Sequence, residues 1–304
     1  MRPPKSKSHR ENTVGPWARQ KLDALESYLV AYQDVMTNQP FRTVFVDAFA
    51  GSGHYELRGS PEPDDEEVSL IEEDDVQQQR EFIDGSPRRA LGLVKKFSAY
   101  RFIDLDPERV KKLEALGAQF EAANFKVLQG DANSEVQKIA ANFGAPDLRG
   151  VAFLDPYGAH LHWKTVADLA ATKKFDVIIN CPIHMAIDRL VKRSGDVPDN
   201  WAKQLDDFFG TREWYDVSFH TQEDLFSSEQ RTKRNDAAKR QLDLYVQRLR
   251  SVFKNVSKPS LVRNSRGLPL YYLIWAGENG RGAPIAEHIL SLGSKVSVPK
   301  RRVT

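Results

Sequence analysis

The chain has one cysteine in 304 residues, Cys181. A lone cysteine cannot close an internal disulfide, and it makes a cysteine-rich metal site implausible. A reducing cytoplasm is the expected compartment. Long apolar runs are missing too: no stretch approaches the roughly 20 residues that a bilayer-spanning helix needs. The basic start, Met1-Arg-Pro-Pro-Lys-Ser-Lys-Ser-His-Arg10, lacks the apolar centre of a secretory signal. Net charge is nearly absent, at +2, so the overall balance does not point to nucleic acid. No internal repeat or heptad run is visible. What is present, 40% hydrophobic and 28% charged residues, is ordinary for a soluble globular protein with room for one large α/β domain and an attached lobe.

The charges that exist are unevenly placed. Glu62 to Glu81 holds ten carboxylates and one arginine, while Gln230 to Lys254 holds eight Lys/Arg against Asp236 and Asp243. Such blocks mark either a binding face and a mobile arm or simply solvated surface. Residues 1–12 read as a flexible basic tail. Pro16 to Met36 sets Trp17, Leu22, Leu25, Tyr28, Leu29 and Tyr32 at three- and four-residue steps, which predicts an amphipathic helix.

Next, Thr43-Val-Phe-Val-Asp47 is a short apolar run ending in an acid and a glycine turn, as a buried parallel strand would. A helix over Pro87–Phe97 follows an acidic, glutamine-rich insertion at about 57–84. Strands are then expected at Ala99–Asp104, Phe125–Gln129, Val151–Asp155 and Phe175–Asn180. They alternate with helices at Pro107–Leu116, Ser134–Phe143, Trp163–Ala171 and Met185–Lys192. This alternation predicts a doubly wound, Rossmann-like, mostly parallel α/β sheet over residues 13–193. A helical section is expected over 194–255, ending in a long helix from about Glu229 to Phe253. In 256–304, Ser260–Arg263 and Leu270–Trp275 flank the turn Asn264-Ser-Arg-Gly267, predicting an antiparallel hairpin before a final helix and basic tail.

A carboxylate stands at or just past each of the first four strands: Asp47, Asp104, Asp131 and Asp155, with Asn180 at the fifth. Ligands of open parallel sheets sit beyond these strand ends. The alternative is that they are helix caps and turn residues. Gly51-Ser-Gly53 begins a dinucleotide fingerprint, but Glu56 takes the third glycine position, and a rim of aspartates serves a pyrophosphate poorly. S-adenosylmethionine (SAM) suits the rim better, since its sulfonium, amino group, ribose hydroxyls and adenine amine all favour carboxylates. Asp104 is placed for the ribose hydroxyls and Asp131 for the adenine amine. Glycines at 51 and 53 would let the backbone approach closely.

The order Phe45-Val-Asp-Ala-Phe-Ala-Gly-Ser-Gly-His-Tyr55, Gly85-Ser-Pro87, Phe102-Ile-Asp-Leu-Asp-Pro-Glu-Arg109, Gly130-Asp-Ala-Asn133 and Phe153-Leu-Asp-Pro-Tyr-Gly158 resembles the three-Cys-motif partner proteins (TcmP). These are bacterial methyltransferase-like proteins associated with a radical-SAM-like protein that carries a three-cysteine motif. The likeness runs from about residue 15 to 292, because Pro269-Leu-Tyr-Tyr-Leu-Ile-Trp275 also resembles the family's last strand. It implies a class I methyltransferase fold that binds SAM at Asp47, Gly51, Gly53, Asp104 and Asp131, with Phe49, Leu105, Ala132 and Asp155 in the same site.

Asp155-Pro-Tyr-Gly158 also resembles the motif of enzymes that methylate exocyclic amines of bases, among them tRNA guanine-N2 and ribosomal-RNA adenine-N6 methyltransferases. An aryl amine is a poor nucleophile because its lone pair is delocalised. Hydrogen bonds to Asp155 and to the carbonyl of Pro156 would localise it, and Tyr157 would stack the base, a contact worth about 1–3 kcal/mol. The target base would be flipped or unpaired. The bland alternative is that this segment only turns strand into loop.

Lesser candidates have stronger bland readings. Cys181 has no flanking base to activate it and reads as structural. His54 and His160 read as loop bystanders, and His160-Leu-His162 lacks a third ligand, so no metal is expected. Arg231, Lys233, Arg234, Lys239 and Arg240 form either a phosphate-binding stripe or a solvated helix face. Three functions follow. One is a cytoplasmic methyltransferase acting on an exocyclic nitrogen of RNA or DNA; the second is a SAM-binding partner of the three-cysteine protein with little or no transfer activity; the third is methylation of a protein or small molecule.

Overall fold

A computed structural model describes residues 13–14, 17–57, 82–120, 124–223, 229–264 and 267–292. The two basic tails and most of the acidic insertion lie outside these residues. Strand β1 (Thr13–Val14) precedes helix α1 (Trp17–Met36), and β2 (Arg42–Asp47) follows. Every β2 residue after Arg42 is buried, as befits a strand covered on both faces. Strands β3 (His54–Leu57) and β4 (Phe82–Asp84) pair antiparallel, with Glu56 opposite Phe82, so the acidic insertion leaves and returns through one short ladder. Helix α2 spans Ser86–Gly92, shorter than the run to Phe97 that the sequence predicts.

The alternation then proceeds through β5 (Ala99–Asp104), α3 (Pro107–Gln119), β6 (Phe125–Gln129), α4 (Ala132–Ala141), β7 (Leu148–Leu154), α5 (Trp163–Ala171) and β8 (Phe175–Cys181). Asp106 caps α3 by accepting from the amides of Glu108 and Arg109, ahead of Pro107 in the first turn. Strand β8 leads into a π-helical turn (Ile183–Ile187) and the short α6 (Asp188–Leu190), where the sequence predicts one helix over 185–192. Pro182 carbonyl accepts from both Ala186 and Ile187, and the widened turn keeps Ile183 and Ile187 buried.

Helices α7 (Asp199–Phe209) and α8 (Glu213–Ser218) come next, then strands β9 (Phe219–Glu223) and β10 (Glu229–Lys233) and helix α9 (Ala237–Val252). The expected helix from Glu229 is therefore corrected, and the section 194–255 is not wholly helical. Glu229-Gln-Arg-Thr-Lys-Arg234 has no apolar residue with which to form a buried face, so an antiparallel ribbon with β9 satisfies its backbone instead. The periodic apolar stripe begins at Ala237. Strands β11 (Asn255–Val256), β12 (Ser260–Arg263) and β13 (Pro269–Gly277) and helix α10 (Gly282–Leu292) complete the described chain.

The main sheet has eight strands in the order β11-β13-β8-β7-β2-β5-β6, with β12 also on β13. Strands β6, β5, β2, β7 and β8 are parallel, and β13 runs antiparallel to β8 and to its hairpin partner β12. This is a doubly wound, mostly parallel α/β sheet, with the antiparallel C-terminal hairpin that the sequence predicts.

Because side chains alternate along a strand, the sheet separates two cores. Val46, Ile103, Leu154 and Ile179 enter one; Phe45, Phe102, Phe153 and Ile178 enter the other, which α1 covers through Leu25, Tyr28 and Leu29. The next residue along each strand, Asp47, Asp104, Asp155 or Asn180, therefore has the parity of the α1 side. Four polar residues share one sheet edge and one face.

Candidate functional site

The turn after β2 is stitched to both neighbouring strands. Ala48 N–H donates to Phe153 carbonyl and Ala50 N–H to Ile103 carbonyl, at 3.1 and 3.0 Å. Gly51 and Gly53 have φ of +65° and +77°, a region that favours glycine. A Cβ on Gly53 would also meet Leu116 Cδ2 at 2.7 Å. Gly51 N–H donates to Asp104 Oδ2 at 2.9 Å, while Asp106 N–H donates to Asp104 Oδ1 at 2.8 Å. Burial raises the Asp104 pKa, and these amides and Arg109, 3.8 Å away, offset it in part.

Asp47 is fully buried, and neither oxygen has a partner in hydrogen-bonding geometry. Burial pushes its pKa to about 7; the Ser86 hydroxyl, the Phe49 amide and Lys21 counteract it, and Asp155 reinforces it. Ser86 belongs to the Gly85-Ser-Pro87 segment, which Gly85 N–H ties to Gly53 carbonyl at 3.0 Å. Phe49 is half-buried nearby in the chain, and Ala132 is buried at the start of α4. Leu105, after β5, is 72% exposed, an apolar side chain left uncovered beside the Asp104 carboxylate. Asp131 is exposed and caps α4, its Oδ1 accepting from Ser134 N–H and Oγ at 2.9 Å each. The cap accounts for one oxygen; Oδ2 keeps its full acceptor capacity among the described residues.

Asp155 follows β7 directly. Its Oδ2 accepts from Lys21 Nζ of α1 at 2.5 Å and its Oδ1 from Asn180 Nδ2 at 2.6 Å. Pro156 is buried, whereas Tyr157 is 83% exposed. The loop beyond is anchored by Asn133 of α4, which donates to His160 carbonyl and accepts from His162 N–H and Thr165 Oγ1, all within 2.9 Å. Tyr157 is thus a solvent-facing ring on a fixed loop.

Several residues of this site escape sequence reasoning. Lys21 lies four residues before Leu25 and seven before Tyr28, so it continues the buried stripe of α1. A charged residue on an apolar stripe was the available signal. Asn133 and Ser86 stand inside the Gly130–Asn133 and Gly85–Pro87 motifs, where residue type alone assigns them no role. His184, in the π-helical turn, sits 3.4 Å from Tyr272 hydroxyl, and burial lowers its pKa. Burial pushes the Cys181 thiol well up, which suits a structural cysteine. His160 is exposed, and the side chain of His54 lies outside the described residues. Arg231, Lys233 and Arg234 stand at β10 and the turn after it, and only Lys239 and Arg240 are on α9.

A groove lined by Arg42, Val44, Ser98, Ala99, Arg101 and Asn124 opens at the opposite edge, where the strands begin. Concavity alone would favour it, but the strand-end rule and the buried carboxylates favour the other edge.

No family model matches the chain, and no curated protein matches its sequence. Solved structures of similar fold include protein LPL1258 from Legionella pneumophila, at 13% identity and TM-score 0.49, over 93% of this chain and 92% of that one. The putative methyltransferase yhhF from Escherichia coli aligns at 11% identity and TM-score 0.35, over 83% and 85%. Human methyltransferase-like protein 13, in complex with SAH, aligns at 10% identity and TM-score 0.41, over 91% of each chain.

Proposed function

We propose that this chain transfers a methyl group from SAM to an exocyclic amino nitrogen of a nucleic-acid base. The observation that carries the proposal is Asp155-Pro-Tyr-Gly at the end of the strand beside β2, its carboxylate fixed and its aromatic ring 83% exposed.

The residues at the strand ends fit SAM. Asp47 is a buried carboxylate whose nearby donors, the Ser86 hydroxyl and the Phe49 amide, do not reach full hydrogen-bonding geometry, which leaves acceptor capacity for an ammonium group. Gly51 and Gly53 supply a turn that side chains would obstruct. Each oxygen of Asp104 has one amide partner and about two lone pairs, which leaves acceptor capacity for ribose hydroxyls. Leu105 and Ala132 offer apolar contacts and Asp131 Oδ2 an acceptor for adenine. Phe49, on the turn after β2, is half-buried against the core on the other face of the sheet, and its backbone amide is the part of it that approaches Asp47. Bound there, SAM supplies an electrophilic methyl group on a cationic sulfur.

The chain's own part is to hold the acceptor. Asp155 and the Pro156 carbonyl take hydrogen bonds from the target amine, which draws its lone pair out of conjugation. Tyr157 stacks the base against an exposed ring. Asn133 keeps the loop still, so the amine is presented in one orientation.

The test is transfer of labelled methyl from SAM into total RNA, DNA and protein from cells lacking this chain. Label in nucleic acid is expected. Asp155→Ala and Tyr157→Ala should each lower transfer at least about 100-fold while SAM binding persists, in line with losses of oriented catalytic groups. Intact transfer in either variant would remove Asp155-Pro-Tyr-Gly from the mechanism.

One observation favours a second reading: both Asp155 oxygens already have partners, Lys21 and Asn180. In that reading the chain binds SAM as a partner of a radical-SAM-like three-cysteine protein and transfers little or nothing. Stable co-purification with such a protein and no turnover by the chain alone would support it.

A further inference from the structure

Resting on the transferase reading, we propose that Lys21 is a positioning and specificity residue, which balances the charge of Asp155 so that the site accepts a neutral aryl amine rather than a protonated alkylamine. The two groups are 134 residues apart in sequence, 2.5 Å apart in space, and only 13% and 16% exposed. Lys21 comes from α1, outside the β/α units that form the strand-end rim. Its Nζ also lies 5.6 Å from the ring centre of buried Tyr271, and both Lys21 and Asp155 act on the charge of Asp47. The groups facing the pair are therefore Asp47, Asn180 and Tyr271.

A lone, mostly buried carboxylate would draw in any cation, and a protonated alkylamine bound to it could pass its proton to the carboxylate and become a rival acceptor for the methyl group. With Lys21 in place the pair is neutral. What Asp155 retains is hydrogen-bond acceptance: one partner per oxygen leaves a lone pair on each. A neutral N–H donor uses that capacity and needs no further counter-ion. Lys21 also fixes the orientation of the carboxylate together with Asn180, from two different elements. Without Lys21 the carboxylate is buried and uncompensated, and it would turn toward solvent or recruit another cation.

The experiment compares the full chain with Lys21→Met and Lys21→Arg in labelled methyl transfer, using unmodified RNA and a lysine-rich peptide as acceptors. Lys21→Met is expected to lower kcat on RNA at least tenfold, with KM for SAM within threefold of wild type. The ratio of RNA to peptide methylation should fall at least tenfold. Lys21→Arg, which keeps the charge, should recover most of both. Unchanged kcat and acceptor ratio in Lys21→Met would overturn the inference, as would failure of Lys21→Arg to rescue a folded chain. If Lys21→Met does not fold, Lys21→Gln carries the same expectations. A wild-type chain that labels neither acceptor overturns the transferase reading itself, and the inference falls with it. That outcome is told apart by the silence of the wild type.

Discussion

Replacing Asp47 by Asn should stabilise the ligand-free chain at alkaline pH and weaken SAM binding. Burial raises the Asp47 pKa from 3.8 to about 7. An acid whose folded pKa exceeds its unfolded value contributes full stability below the unfolded pKa and loses it as pH rises through the folded one. At about 1.36 kcal/mol per unit, the wild-type chain carries a penalty on the order of 4 kcal/mol above pH 7. Roughly 3 kcal/mol of that should develop between pH 5 and pH 8. The Asn variant has no charge there, although its buried amide costs about 1–3 kcal/mol if it finds no partner. That amide cost is independent of pH, so the difference between the two proteins isolates the carboxylate. Urea unfolding at pH 5, 6.5 and 8 reads it directly. SAM at about 100 times its Kd should then stabilise the wild type by about 2.7 kcal/mol and the variant by much less. Parallel stability-against-pH curves would refute the idea that Asp47 is a buried charge whose cost its neighbours offset only in part.

Gly53→Ala places a Cβ at φ +77° and 2.7 Å from Leu116, so a loss of about 1–3 kcal/mol and at least tenfold weaker SAM binding by calorimetry are expected. Asn133→Ala frees the loop carrying Tyr157; kcat should fall about tenfold or more while the Kd for SAM, measured by calorimetry, stays within a few-fold. Tyr28→Phe removes a hydroxyl that accepts from Trp275 Nε1 and donates to Asp176 Oδ2, both at 2.7 Å. Urea unfolding should show a loss of about 2–5 kcal/mol for the two orphaned groups. Burial raises Asp176 to about 6, so the carboxylate is charged above that pH and the loss should be larger at pH 8 than at pH 5.

The parallel core was legible because a strand covered on both faces has one reading: a short apolar run stopped by a polar residue. Val44, Phe45 and Val46 before Asp47 are the clearest case, and Val177, Ile178 and Ile179 before Asn180 another. The rim of carboxylates was legible for the same reason. Their common face follows from parity only once the strands are aligned. Beyond β8 the signals weaken. Glu229–Lys233 carries no apolar period, so pairing with Phe219–Glu223 decides its form. The π-helical turn depends on one carbonyl, that of Pro182, accepting twice, which no spacing of residue types announces. Lys21 illustrates the hardest class. Its partner is fixed only when α1 lies across the sheet, so its stripe position hinted at burial without indicating what it would meet.

The bond between Tyr28 and Trp275 joins residues 247 positions apart. A chain made from its amino end at roughly 5–20 residues per second must therefore wait roughly 12–50 s before its first long helix meets the strand that clasps it. Until then the apolar stripe of α1 has only part of its seat, and an unfinished chain presents it to chaperones or to other nascent chains. Lys21 rides on that same helix. Assembly of the polar edge is thus linked to completion of the fold, and a chain truncated before β13 should lack an ordered reaction centre as well as stability.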